Sequence, residues 1–420
     1  MIDIAYLRDH RDELAVSLSR RGFELDLDAL GVLDEDRRMA RSEAEELRSA
    51  QNAIGKSIPG LDGEEKKAAI EEAGMLAGRY KELLTTADDL DDQFNSQWVT
   101  LPNMTDPTAA DGLEEEDAVE IKRVGEPTVL DFDVEDHVDL GVALGVVDIE
   151  RATKISGSRF ALIKGKLVLL ELALVRWVME NLHEHGFTPV IPPVLVREHA
   201  LFGTGFFPGD RDQVYSVEQD DLFLVGTSEV PLAAMHGDEI FDSDDLPHRY
   251  AGFSTCFRVE AGTYGKDTRG MFRVHQFDKV EMFSFVLPDR SQEEHEYLLE
   301  REEELVRDLE IPYRVVNVAA GDLGSSAAKK YDIEAWFPGQ DRYREITSTS
   351  NTTDFQSRRL KIRYKDEDGK NRLVHTLNGT AVAIGRTLIA LMENHQDGEG
   401  SFRIPQALIP YTGFDSIDPE

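Results

Sequence analysis

Ala69, Ala73, Leu76, Tyr80, Leu83, Ala87, Leu90 and Phe94 recur on a three-four spacing, and this run restricts the fold more than any other part of the chain. A helix of that period puts all of these side chains on one stripe, which needs a partner to cover it. A partner lies upstream, where Leu33, Ala40, Ala44, Leu47, Ile54 and Ile58 keep the same spacing, interrupted by Arg37 and Gln51. Between the two runs, Ile58-Pro59-Gly60-Leu61-Asp62-Gly63 is a strong turn signal. Two heptad helices joined by a tight turn predict an antiparallel coiled-coil hairpin. At about 1.5 Å per residue, an arm from Leu33 to Ile58 would reach roughly 40 Å. Such an arm offers surface but no catalytic pocket.

Arg37, Arg38, Arg41, Arg48 and Lys56 fall on the outward face of the first helix, with Arg41 and Arg48 on one stripe. Two readings stand side by side. One is a solvated flank salt-bridged to Glu43, Glu45 and Glu46. The other is a contact surface for a phosphate backbone. Charge bears on this choice. Lys plus Arg is 46 and Asp plus Glu is 82, so the net charge is 46 − 82 = −36. Such an excess argues against nucleic-acid binding by the whole surface and confines any contact to local basic patches.

Leu101-Pro102-Asn103 ends the hairpin, and the polar, acidic stretch 105–128 reads as a linker. The expected division is a helical arm over 1–110 and a second domain over 111–420, consistent with a chain of 420 residues. The second domain mixes a long apolar helix (166–185) and later helices (290–309, 379–394) with many short strand-like runs. These runs are 188–191, 213–217, 222–226, 252–258, 272–285, 311–318, 343–350 and 358–364. Strands adjacent in sequence predict an α+β domain built on a largely antiparallel sheet. No Walker A sequence occurs, and no GxGxxG follows a strand and opens a helix. The single cysteine, Cys256, excludes an intramolecular disulfide and a cysteine-based zinc site. The N-terminus, with Asp3, Arg8, Asp9, Arg11, Asp12 and Glu13, does not read as a signal peptide. The run Leu167–Met179, broken by Glu171 and Arg176, is too short and too charged to span a membrane. A cytoplasmic enzyme is expected.

Three stretches carry the chemistry. Phe257 to Phe283 reads as two antiparallel strands joined by a long basic loop, with a turn on Gly262, Gly265 and Gly270 and three arginines, Arg258, Arg269 and Arg273. Arg258 and Glu260 are expected on one face of the first strand. Arg273, His275, Phe277, Lys279 and Glu281 are expected on one face of the second. Guanidinium forks held by a sheet suit a phosphate or a carboxylate. His275 reads as structural. Gly226-Thr227-Ser228-Glu229 follows a strand-like run and, taken alone, is a helix N-cap signal. Leu377-Asn378-Gly379-Thr380 leads into an apolar helix containing Arg386, an arginine that needs an anionic or aromatic partner. Gly379 and Gly385 allow close backbone approach.

Together these motifs resemble those of class II aminoacyl-tRNA synthetases. The hairpin resembles motif 2, the Asn-Gly-Thr stretch with Arg386 resembles motif 3, and the long helix ending in Gly186-Phe187-Thr188-Pro189-Val190-Ile191-Pro192-Pro193 resembles motif 1, the dimer-forming element. With Glu345-Ile346-Thr347-Ser348-Thr349-Ser350-Asn351 and the arm, the whole chain is similar to seryl-tRNA synthetases of the bacterial type. The resemblance implies a homodimer that uses ATP and Mg²⁺ to join L-serine to tRNA(Ser) through a seryl-adenylate, and that also serylates the selenocysteine tRNA. It implies that Arg258, Val259, Glu260, Arg273, Val274, Phe277, Glu345, Ile346, Thr347, Ser348 and Arg386 bind ATP. Arg258 and Arg386 would be catalytic, Phe277 and Arg386 would sandwich the adenine, and Glu345 with Ser348 would hold Mg²⁺. Thr227, Ser228, Glu229, Arg258, Glu281 and Thr380 would bind serine. Many relatives carry Ser where Thr380 stands, a departure that keeps the hydroxyl. No zinc is expected. The arm would meet the long variable arm of tRNA(Ser), with Arg37, Arg38, Arg41, Arg48 and Lys56 as contacts. Two alternatives remain: a class II homologue that loads an amino acid on a carrier protein, and a non-catalytic binding paralogue.

Overall fold

The computed structural model describes residues 1–261 and 269–419. Gly262 and Gly265, on which the sequence places a turn, lie outside the described residues. The chain divides into two units, one comprising Asp3–Ser19 and Phe23–Leu101, the other Met1–Ile2, Arg20–Gly22 and Pro102–Glu420.

In the first unit, α1 (Leu27–Ser57) and α2 (Gly63–Trp98) are the two helices of the hairpin, joined through a single turn at Ile58–Gly60. Asp26 caps α1 by accepting from the amides of Asp28 and Ala29. The seam is dry only near its base, where Leu30, Ala40, Ala44, Ala87, Phe94 and Trp98 are buried. Toward the turn Leu47, Ile54, Ala69 and Ala73 are only half-buried, because two helices alone cannot enclose their own contact. Arg37 interrupts the apolar pattern for a visible reason. Its guanidinium lies 4.0 Å from the centre of the Phe94 ring and donates to Asp34 and Asp91. The acids that meet the basic residues are therefore Asp34, Asp88 and Asp91, not the expected Glu43, Glu45 and Glu46. Buried Asp34 accepts from Arg8, Arg37 and Arg38 at 2.6–3.1 Å, Arg41 pairs with Asp88 and Asp91, and Arg48 approaches the Tyr80 ring. Asp34 takes Arg37 and Arg38 along its own helix at the i,i+3 and i,i+4 spacings, while Asp88 and Asp91 reach Arg37 and Arg41 from the facing helix.

The second unit is built on an eight-stranded sheet. Its strands are β1 (Val119–Val124), β2 (Thr188–Val190), β3 (His248–Phe257), β4 (Gln276–Val286), β5 (Tyr313–Asn317), β6 (Lys329–Phe337), β7 (Arg342–Thr353) and β8 (His375–Ala383). They lie in the order β1-β5-β6-β7-β8-β4-β3-β2, and every pairing is antiparallel except β2 with β3. Four helices matter for the site: α3 (Lys166–Glu184), α4 (Glu229–Ala234), α5 (Ser291–Asp308) and α6 (Ile384–His395). Leu170 and Leu174 of α3, Leu298 and Leu305 of α5, and Leu388 and Leu391 of α6 join Val280, Met282 and Ile333 of the sheet in one apolar core. No helix among the described residues is long and apolar enough to cross a membrane.

Several boundaries differ from the sequence reading. The last helix of the hairpin ends at Trp98, just before the expected stop at Leu101-Pro102-Asn103. Part of the expected linker is β1, an edge strand that pairs with β5 through its backbone while its side chains stay exposed, so no alternation marks it. The run 358–364 is split between a short helix, Phe355–Leu360, and a strand, Arg363–Lys365. Gly379 and Thr380 are in strand β8, and the helix starts only at Ile384, because β8 is hydrogen-bonded on both sides.

Candidate active site

β3 ends at Phe257 and β4 begins at Gln276, so Arg258, Glu260 and Arg273 come from the connecting segment and do not share a strand face as expected. They are held there by other means. Arg258 N donates to His275 O at 3.0 Å, and the His275 ring nitrogen Nδ1 donates to Arg258 O at 3.0 Å. That exchange makes His275 a structural clasp on the arginine, in line with the sequence reading. Val259 N donates to Gln213 O at 3.0 Å. Glu260 adopts a left-handed backbone, φ 55°, and its carboxylate takes Arg273 Nη1 at 2.6 Å.

Two β-bulges set the opposite wall. Ile333 pairs with Thr347 but Glu334 pairs with Glu345, leaving Ile346 as the extra residue of β7. Thr380 pairs with Glu281 but Val382 pairs with Val280, leaving Ala381 extra in β8. A regular strand alternates faces with a period of two. An inserted residue breaks that period, so Glu345 and Ser348, three apart, line one cavity, as do Thr380 and Ala383. Thr347 points the other way and donates to Glu302 Oε2 at 2.9 Å.

The cavity, about 240 Å³, brings together Arg258, Glu260, Arg273, Val274, Phe277, Glu345, Ile346, Ser348, Thr380 and Arg386. Val259 and Thr347 are not among its lining residues. Met271, Phe272, Lys279, Ala383 and Gly385 join the lining; of these the sequence reading had singled out only Lys279, on an alternating strand face, and Gly385, for close backbone approach. Arg386 donates to Glu345 O at 2.9 Å, approaches its carboxylate at 3.4 Å, and lies 4.8 Å from the centre of the Phe272 ring. Arg258 is 5.2 Å from the centre of the Phe277 ring. Gly379 proves tight: a Cβ there would stand 2.8 Å from Glu302 Oε1. A larger cavity of about 580 Å³ lies along Leu246, Pro247, Arg249 and the start of α5. Its wall carries Glu293, Glu296 and Glu300, which repel phosphates, so volume does not mark the site.

Beside the cavity lies a buried polar cluster. Thr227 Oγ1 donates to Glu281 Oε2 at 3.2 Å, and Lys279 pairs with the same carboxylate. Ser228 stands at the start of α4 but makes no side-chain cap there; its hydroxyl meets Ser254 Oγ at 2.7 Å. The N-cap reading of this stretch holds in position, with Thr227 Oγ1 accepting from Glu229 N at 3.2 Å, while the Ser228 hydroxyl serves the sheet. Glu229 Oε1 accepts from Gln356 Nε2 at 2.7 Å and from Asn378 Nδ2 at 3.0 Å. Neither partner was singled out for this role, since nothing in spacing links positions so far apart.

Electrostatics separates the carboxyls. Partial desolvation works against ionisation of Glu345, whose side chain is 42% exposed, but the charges of Arg386, Lys330 and Arg258 outweigh it and hold its carboxyl well below the usual range. Glu229 goes the other way: burial, then the charge of Glu281, push it up to about 7. Between the ordinary value of 4.5 and about 7, folded Glu229 keeps a proton that the unfolded chain has lost. Its contribution to stability is therefore fully present below pH 4.5 and is lost as pH rises through 7. Glu229→Gln keeps an acceptor oxygen and cannot ionise. The stability of the wild type relative to this variant is expected to fall by on the order of 3 kcal/mol from pH 4 to pH 8, measured by denaturant unfolding. Parallel pH curves for the two proteins would contradict the assignment.

Comparison with known proteins accounts for both units. A seryl-tRNA synthetase N-terminal domain model matches residues 1–105, and a class II tRNA synthetase core domain model (G, H, P, S and T) matches residues 214–395. A serine–tRNA ligase of Acidothermus cellulolyticus is 50% identical over 421 aligned positions, spanning 100% of both chains. One of Thermobifida fusca is 49% identical over 420, spanning 100% of this chain and 99% of the relative. The seryl-tRNA synthetase of Pyrococcus horikoshii, solved in complex with ATP, superimposes with a TM-score of 0.94 at 43% identity over 100% of each chain. Arm and core alike thus match one kind of protein along their full length, and the chain belongs to the seryl-tRNA synthetase family of class II.

Proposed function

We propose that this chain joins L-serine to tRNA(Ser) with ATP, through a seryl-adenylate formed in the 240 Å³ cavity. The observation that carries the reading is the convergence of three arginines, Arg258, Arg273 and Arg386, on one cavity beside the buried Thr227–Glu281 pair. In the first step a serine carboxylate oxygen attacks the α-phosphorus of ATP, a P–O bond forms, and pyrophosphate leaves. The nucleophile is already ionised, so no general base is needed. The barrier comes from bringing two anions together and from charge on the transferring group, which fixed guanidiniums reduce by position and field. In the second step the terminal hydroxyl of the tRNA attacks the acyl carbon and AMP departs.

In this reading Arg258 holds the α-phosphate and the serine carboxylate, Arg273 the outer phosphates, and Phe277 and Arg386 the adenine. Phe272, against which Arg386 already lies, steadies the guanidinium plane. Glu281 and Thr380 read the serine amino group and hydroxyl. A pocket built around a hydroxyl rejects alanine because its own polar groups would be left unpaired. Glu345 and Ser348 present a carboxylate and a hydroxyl to the cavity, oxygen donors that suit Mg²⁺, which when bound neutralises phosphate charge. Serine-dependent ATP–pyrophosphate exchange tests the reading, and Arg386→Ala is expected to lower it by on the order of 100-fold without unfolding the protein. Exchange that is absent from the wild type, or undiminished in that variant, would defeat it. Running the charging assay with selenocysteine tRNA as a second acceptor decides whether that tRNA is also a substrate. Serine transferred to a carrier protein but not to tRNA would favour the carrier-loading alternative.

The arm is proposed as the tRNA contact. Arg37, Arg38 and Arg41 are engaged by aspartates, so their charge is largely spent within the hairpin. Arg48 and Lys56 are exposed and carry the proposal. Reversing both charges is expected to raise the KM for tRNA about tenfold while leaving pyrophosphate exchange unchanged; equal charging kinetics would assign them to a solvated flank. A second copy of the chain is proposed to cover α3, whose Leu169 and Leu172 are 52% and 59% exposed. Leu172→Glu is then expected to sediment as a monomer, and an intact dimer in that variant would point to another face. A cytoplasmic location fits this role in protein synthesis.

A further inference from the structure

Lys279 has no part in the reading above, yet it lines the cavity and is only 6% exposed. A buried ammonium is costly unless it is paired. Its partner is Glu281, two residues along β4 and so on the same face of the strand. Glu281 is itself 2% exposed. Thr227 Oγ1 and the Lys279 ammonium both meet its Oε2, and Oε1 takes part in neither contact. Across the sheet, Thr380 stands opposite Glu281 in register. One carboxylate oxygen is thus tied to the protein, on the strand face that Thr380 shares.

Lys279 sits among acids. Glu229 of α4 and Glu302 of α5 are both pushed toward the neutral form, by burial first, with the charge of Glu281 adding to it and that of Lys279 opposing it. Asp332 of β6 also bears on Glu302. Cys256 of β3 and Arg258 share this field. Without Lys279, Glu281 would keep Thr227 as a donor and lose its buried counter-charge, beside two further carboxyls.

We infer that Lys279 is a positioning residue for the amino-acid substrate: it fixes the Glu281 carboxylate in one orientation, with an oxygen presented to the ammonium or hydroxyl of serine. This deepens the proposed function and rests on it. Lys279 acts through Glu281, so removing it should affect serine and not ATP, and should change how the serine site titrates. A purely structural lysine would lower all parameters together and leave the pH profile in place.

The test is ATP–pyrophosphate exchange by the full-length protein and its Lys279→Met variant, with serine and ATP varied separately across pH. K279M is expected to raise the serine KM about tenfold or more with little change in the ATP KM. It should also move the acid limb of kcat/KM for serine upward by about one pH unit. On a Glu281→Gln background the same substitution should add nothing to the serine KM, since the carboxylate through which it acts is gone. If K279M does not fold, Lys279→Arg replaces it. That variant keeps the charge but not the shape of the donor, so it should retain the acid limb and raise the serine KM about threefold. A folded K279M with the wild-type serine KM and pH profile, equal losses for serine and ATP, or a substituting K279R with the wild-type serine KM would each overturn the inference alone. Absence of serine-dependent exchange in the wild type would overturn the functional reading and this inference with it.

Discussion

The pairing of β4 with β8 is the constraint on which the site depends. It sets Thr380 opposite Glu281 and Gly379 opposite Met282, and β7 adds its own residues on the far side of β8. Backbone hydrogen bonds therefore locate groups from three distant parts of the sequence, so no side chain has to find its place alone. The connecting segment before β4 is then hung from this frame by the reciprocal bonds of Arg258 and His275. Preorganisation of this kind is what electrostatic catalysis requires, because flexible donors would first have to be ordered by the ligand.

The chain's net charge of −36 makes the cavity's cations an exception that must be maintained locally. The structure does so by separating two kinds of carboxyl. Glu345 is held ionised by arginines and a lysine. Glu229 is buried, accepts from two amides and favours its proton. Acids that would oppose a triphosphate are in this way either paired or neutral. In the arm a comparable pairing runs the other way, since Asp34, Asp88 and Asp91 take up arginines that the sequence could pair only with Glu43, Glu45 and Glu46 or leave for a phosphate backbone.

The hairpin was legible because its period is a direct consequence of helix geometry, and even its interruption at Arg37 has a seam-side cause. The antiparallel sheet was legible from strands that follow one another without helices between them. Arg258, Arg273, Phe277 and Arg386 were singled out on residue type and motif, and the structure gathers them around one cavity. Strand limits were less accessible. Arg258 and Glu260 look like alternating strand residues, but pairing stops at Phe257, and no local signal marks that stop. Phe272 was missed for a related reason: it opens the strand-like run 272–285 on the face opposite Arg273, but pairing begins only at Gln276. Lys279 was noticed as part of an alternating face, but its burial against Glu281 depends on strands that are remote in sequence.

The bulges at Ile346 and Ala381 have a consequence for how this surface can diverge. Its geometry is stored in chain length at two points and only secondarily in side-chain identity. Substitutions near them leave the aim of Glu345 and Ser348 intact and can retune what is recognised. Losing a single codon at either point would turn one flank of the pocket inside out while leaving the composition of the neighbourhood almost unchanged. Insertions and deletions, far more than point changes, are therefore the events that purifying selection must remove here.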